Sequence, residues 1–163
     1  MPENASSRAD PESTDQGALG RLSAEARTTL GSVGRTVEYD SGATILREGA
    51  DTPFLGLLQE GRVALRMRVP ERGERLTILT VEPGELLGWS AVVAPYRATV
   101  DAVATEPTRI VAFEAEALRR ALATDAAIAA ELPALILETV SHRLTASWTQ
   151  LLDLFGTRET QPW

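Results

Sequence analysis

The chain has 163 residues, enough for one hydrophobic core and too few for two of ordinary size. Its 44% apolar content suits a soluble globular domain, and a net charge of −7 argues against direct nucleic-acid binding, which needs a basic face. With no cysteine, disulfides, thiolate metal sites and cysteine nucleophiles are all excluded. No run reaches the roughly 18–20 apolar residues that span a bilayer, and MPENASSRADPESTDQG lacks the apolar stretch of a secretory signal. A cytoplasmic protein without membrane association is expected.

In chain order, residues 1–17 are rich in Ser, Pro, Glu and Asp and read as a disordered tail. ALGRLSAEARTTLG (18–31) reads as a short helix with Ser23 near a turn. Strand patterns follow at 36–39, 44–48, 54–59, 62–69, 75–81, 98–104 and 109–114, bounded by turn signals such as Asp40-Ser41-Gly42, Glu60-Gly61 and Glu82-Pro83-Gly84. In RVALRMRV (62–69) strand alternation puts Arg62, Ala64, Arg66 and Arg68 on a wet face and Val63, Leu65, Met67 and Val69 on a core face.

The character then changes to helix. AEALRRALATD (115–125) predicts a short helix, and Pro133 marks the first turn of a long one, about 133–155, with Gly156 as its cap. Leu137, Val140, Leu144, Leu151 and Leu154 keep 3-4 spacing, Ser147 fills the gap, and Ile136, Trp148, Leu152 and Phe155 widen the stripe. So broad an apolar face exceeds what one roll can cover, which predicts a homodimer through this helix. Residues 157–163 form a short tail. The fold class is α+β: an antiparallel β-roll of the jelly-roll or double-stranded β-helix kind, with flanking short helices and a long C-terminal helix.

Residues 18–156 carry an ordered set of motifs: Tyr39–Gly42 with Ile45 and Glu48–Ala50, Leu58–Val63, and Pro83–Gly88. Together with the terminal helix they resemble the cyclic-nucleotide-binding domain, and more specifically the sensor half of the Crp/Fnr (catabolite activator) family. The resemblance implies that PGELLGWSAVVAPYRAT (83–99) is a phosphate-binding cassette. Its ligand-binding positions would be Glu85, Gly88, Trp89, Ser90, Ala91, Arg97, Ala98 and Thr99. Gly88 would be the cassette glycine, Trp89–Val92 a short helix offering free N–H groups, and Arg97 the phosphate arginine. Ser147 and Trp148 fall where the family's long helix contacts the base. The ligand class implied is a cyclic nucleotide or another small anion.

Two departures shape the expectation. Trp89 stands where the family's nucleotide binders carry the glutamate that accepts the ribose hydroxyl. An indole only donates, so cyclic AMP in the usual pose is not expected. The interval from Gly88 to Arg97 is also short. A third departure is that the sequence ends at GTRETQPW, where family regulators continue into a helix-turn-helix. The expectation is a stand-alone, non-catalytic sensor or regulatory domain acting through a partner protein. The alternative is a ligand-free interaction module on the same fold. Arg97 could instead pair with Glu85, and the lone His142 with Glu138 at i−4. No nucleophile elbow or metal-ligand spacing points to an enzyme.

Overall fold

A computed structural model describes residues 7–8 and 17–156. Most of the two expected tails, 1–6, 9–16 and 157–163, lies outside the described residues. Two residues of the first, Ser7–Arg8 (β1), pair antiparallel with Arg35 and Thr36. The helix expected at 18–31 is two pieces: a 3-10 turn over Gly17–Arg21 and α1 over Ala24–Val33. Ser23 divides them because its hydroxyl accepts from the Ala26 N–H and caps α1.

The strands follow as β2 (Gly34–Tyr39), β3 (Thr44–Leu46), β4 (Phe54–Glu60), β5 (Val63–Arg68), β6 (Arg75–Val81), β7 (Leu86–Leu87), β8 (Asp101–Ala104) and β9 (Thr108–Glu114). They build two antiparallel sheets, ordered β1-β2-β9-β4-β7 and β3-β8-β5-β6. With the flanking helices α2 (Ala115–Thr124) and α3 (Ala126–Gly156) this is the expected α+β roll. No helix among the described residues is long and apolar enough to cross a membrane.

The β4, β7 and β9 strands of the first sheet are buried on both sides. Alternate residues of β4, β7 and β9 point to opposite faces. Leu55, Leu57, Leu86, Val111 and Phe113 join α1, α2 and α3 in one apolar cluster. Phe54, Leu58, Leu87, Ile110 and Ala112 join the second sheet in another. That explains why FLGLLQ reads as almost continuously apolar rather than alternating. Each leucine so buried contributes about 1.5–3 kcal/mol.

Two expectations are corrected. Ala64 is buried beside Val63 and Leu65, while Met67 is exposed, so the wet-face alternation of 62–69 fails. The pairing with β8 ends at Arg66↔Asp101, so Met67 has only Leu76 of β6 beside it and stays in solvent, whereas Ala64 lies where β5 is flanked by both β6 and β8. The long helix starts at Ala126 rather than near Pro133, which lies inside it. Asp125 sets the start: its Oδ1 accepts from the Ile128 N–H and its carbonyl from the Ala129 N–H. Proline lacks an N–H to continue that ladder and is carried by a helix already anchored through Ile128 and Leu132 in the core.

Three carboxylates tie the helical layer together, and hydrogen bonding holds each below its ordinary pKa. Glu114 accepts from the Ala117 and Glu116 N–H groups at the start of α2. Asp125 accepts from the Thr29 hydroxyl of α1 as well as from Ile128. Glu131 accepts from the Ser23 N–H. Lowered folded-state values mean the stability these groups add is complete above the ordinary carboxylate range and is lost as pH falls through it. In thermal melts at about pH 7 and about pH 3, Asp125→Ala is expected to lose less stability on acidification than the unaltered chain, because its share is already gone. Equal losses would contradict this role.

Candidate functional site

The stretch 83–99 is built outward from β7. Gly84 N–H donates to Leu58 O at 2.7 Å and Leu58 N–H to Glu85 O at 3.0 Å, and β7 pairs with Gly56 and Leu57 of β4. This delivers Gly88 at the sheet edge with φ +73°, a conformation that favours glycine. A Cβ there would stand 2.5 Å from the Phe54 carbonyl oxygen, so the position also excludes a side chain sterically. Trp89–Ala91 then forms a 3-10 turn closed by Ala91 N–H to Gly88 O and Val92 N–H to Trp89 O. The predicted helix at 89–92 is therefore present, one residue shorter.

Ser90 is buried, and its hydroxyl lies 3.2 Å from that of buried Thr52. The return limb passes a cis Ala94–Pro95 bond and Tyr96, whose φ is +63°. It lies against the 49–52 turn through Thr52 N–H to Tyr96 O, Ala98 N–H to Ala50 O and Gly49 N–H to Ala98 O. Ala98 is buried and Thr99 exposed.

The chemistry-bearing side chains distribute differently from expectation. Arg97 donates from Nη1 to Gly49 O at 2.8 Å, and its Nη2 lies 3.9 Å from Asp51 Oδ1. The arginine is 60% exposed and its carboxylate partner is Asp51, not Glu85. A pair so placed contributes about 0–1 kcal/mol. Glu85 is exposed on the opposite limb, where Oε2 accepts from the Glu82 N–H. Trp89 is partly buried and packs on the helical cluster, so its indole faces α2 and α3. With Val92, Val93, Leu122, Pro133, Ile136, Leu137 and Val140 it lines an apolar groove of about 320 Å³. Gly88, Ser90, Ala91 and Ala98 thus form one compact backbone unit, and Arg97 and Glu85 leave it on different sides.

On α3, Ser147 Oγ donates back to Arg143 O, and Trp148 is 56% exposed. Glu138 pairs with Arg21 at 2.5 Å rather than with His142. Reading the sequence missed two residues that hold the cassette backbone. Arg119 of α2 donates to Ala91 O at 2.8 Å, and its guanidinium sits 4.5 Å from the centre of the Tyr96 ring. Arg143 of α3 donates to Leu86 O. Burial pulls its pKa down, while the charge of Glu85 opposes that shift. A cleft of about 220 Å³ beside it is lined by Arg21, Glu85, Glu138 and His142 among others. The only signal in the sequence was an arginine beside an apolar helix stripe, which normally means a solvated flank.

The sequence profile of the cyclic nucleotide-binding domain matches residues 36–125. A candidate cyclic nucleotide-binding protein from Geobacter metallireducens GS-15 is 26% identical, with 83% of this chain and 98% of that one covered at a TM-score of 0.73. A cyclic nucleotide-binding domain from Methylobacillus flagellatus KT is 22% identical, covering 86% and 79% at a TM-score of 0.74. The N-terminal domain of a transcriptional regulator from Streptomyces coelicolor A3(2) is 23% identical, covering 88% and 93% at a TM-score of 0.61. No curated protein matches in sequence.

Proposed function

The chain belongs to the cyclic nucleotide-binding domain family, and from that membership we propose that it is a non-catalytic regulatory domain that acts through a partner protein and does not hold cyclic AMP in the usual pose. The observation that carries the second half is the placement of Trp89 and Arg97. A ribose hydroxyl needs an acceptor, and the indole at position 89 offers none and packs toward the helices. A cyclic phosphate needs a cation free to fork onto it, and Arg97 is bound to Gly49 O on an exposed turn. Leaving a buried ribose hydroxyl unpaired would cost about 1–3 kcal/mol.

The first half rests on the contact between cassette and helices. Trp89 and Val92 pack directly on the cluster that anchors α3, so a change in the 3-10 turn reaches that helix. We also propose that α3 joins two copies of the chain. Leu144, Trp148, Leu151 and Phe155 keep roughly half or more of their surface in solvent, on the stripe that the roll leaves uncovered. A second reading, a ligand-free interaction module, is favoured by Trp89 in the place of an acceptor and by the Arg97 bond to Gly49 O, and differs only in whether any small anion enters the cassette.

Titration with cyclic AMP and with cyclic GMP, followed by tryptophan fluorescence, is expected to give no saturable response. Tight binding abolished by Arg97→Ala would contradict the proposal. Light scattering is expected to report two copies for the unaltered chain and one for Leu144→Glu. A monomeric unaltered chain would exclude assembly through α3.

A further inference from the structure

Both ends of the Leu86–Ala91 segment are held by arginines from the helical layer. Arg143 of α3 donates to Leu86 O, and Arg119 of α2 donates to Ala91 O. Arg119 also stacks on Tyr96, which the chain holds in the left-handed region. A tyrosine there is strained unless its surroundings fix it, and the guanidinium over its ring is one such constraint. Between the two carbonyls lies Gly88, the point where the segment can pivot. The helices are themselves joined, because α2 ends at Asp125 and that residue caps α3. Cassette, Arg119, α2, Asp125, α3 and Arg143 therefore form a closed mechanical ring.

We propose that Arg119 and Arg143 are positioning residues that lock the cassette to α2 and α3 with no nucleotide present. This rests on the reading that the cassette works without cyclic AMP in the usual pose. Each lock is a charged donor on a neutral carbonyl, stronger than an ordinary amide–carbonyl hydrogen bond and released by movement of the helix that carries it. A partner that shifts α3 would pull Arg143 from Leu86 and change the cassette, and a partner on the cassette would reach α3 by the same route. The coupling is carried by protein groups rather than by a bound phosphate.

The test is hydrogen exchange on the full chain without nucleotide, comparing Arg143→Gln, Arg143→Lys and Arg119→Gln with the unaltered protein. Arg143→Gln is expected to speed exchange at the Ala91, Val92 and Tyr96 amides about tenfold or more, the scale of one charge-assisted bond. The Leu57 and Val111 amides of the sheet core stay as they were. Arg143→Lys keeps a long, charged donor, which the shorter neutral glutamine amide does not, and restores slow exchange. Arg119→Gln is expected to speed exchange in the turn of α3 around Arg143, and it carries the test alone if Arg143→Gln does not fold. Acceleration confined to each arginine's own turn, or uniform across the core, would overturn the proposal. Nucleotide binding in the titration above would leave this result unaffected, so the two readings fail separately.

Discussion

Burial of the β9-β4-β7 part of the first sheet on both faces is the constraint from which the rest of the molecule follows. One face needs the helices to cover Leu55, Leu57, Leu86 and Phe113, and the other needs the second sheet to cover Phe54, Leu58, Leu87 and Ile110. Because β7 has only two residues, it places one leucine in each core and then stops at Gly88. The cassette is thus suspended between two packed layers. Any movement of it must be accommodated by the helical layer, since the sheet layer is fixed by the long β4–β9 ladder.

On that frame sits the stretch 83–99, for which we propose a role without cyclic AMP in the usual pose. Gly88, the 3-10 turn and the buried Thr52–Ser90 pair preserve the shape. The cations around it are spent on protein oxygens: Arg97 on Gly49, Arg119 on Ala91 and Arg143 on Leu86. Trp89 turns its indole to α2 and α3 and packs against their apolar side chains. The same residue that argues against the nucleotide therefore strengthens the link between cassette and long helix.

Much of this was legible in the sequence, for identifiable reasons. The strands at 54–59, 75–81 and 109–114 announced themselves because turn residues with a strong physical bias bracket them. Gly88 was legible because a left-handed turn against Phe54 O admits little else. The start of α3 was misplaced because Pro133 is a loud local signal and Asp125, which ends α2 and caps α3 at once, leaves no break in the apolar pattern between them. The exposure of Met67 was invisible because it depends on where the pairing with β8 ends, which is a property of the strand pair. Arg119 and Arg143 escaped for a similar reason: their acceptors are main-chain carbonyls, which carry no residue signature.

We propose that this chain keeps the cyclic nucleotide-binding fold as a coupling device and works without a nucleotide in the usual pose. Native mass spectrometry of the protein purified from the cell that makes it tests this most directly. The expected result is a two-copy assembly whose mass is that of the polypeptide alone or with a protein partner. A mass increment equal to one cyclic nucleotide per copy would contradict it.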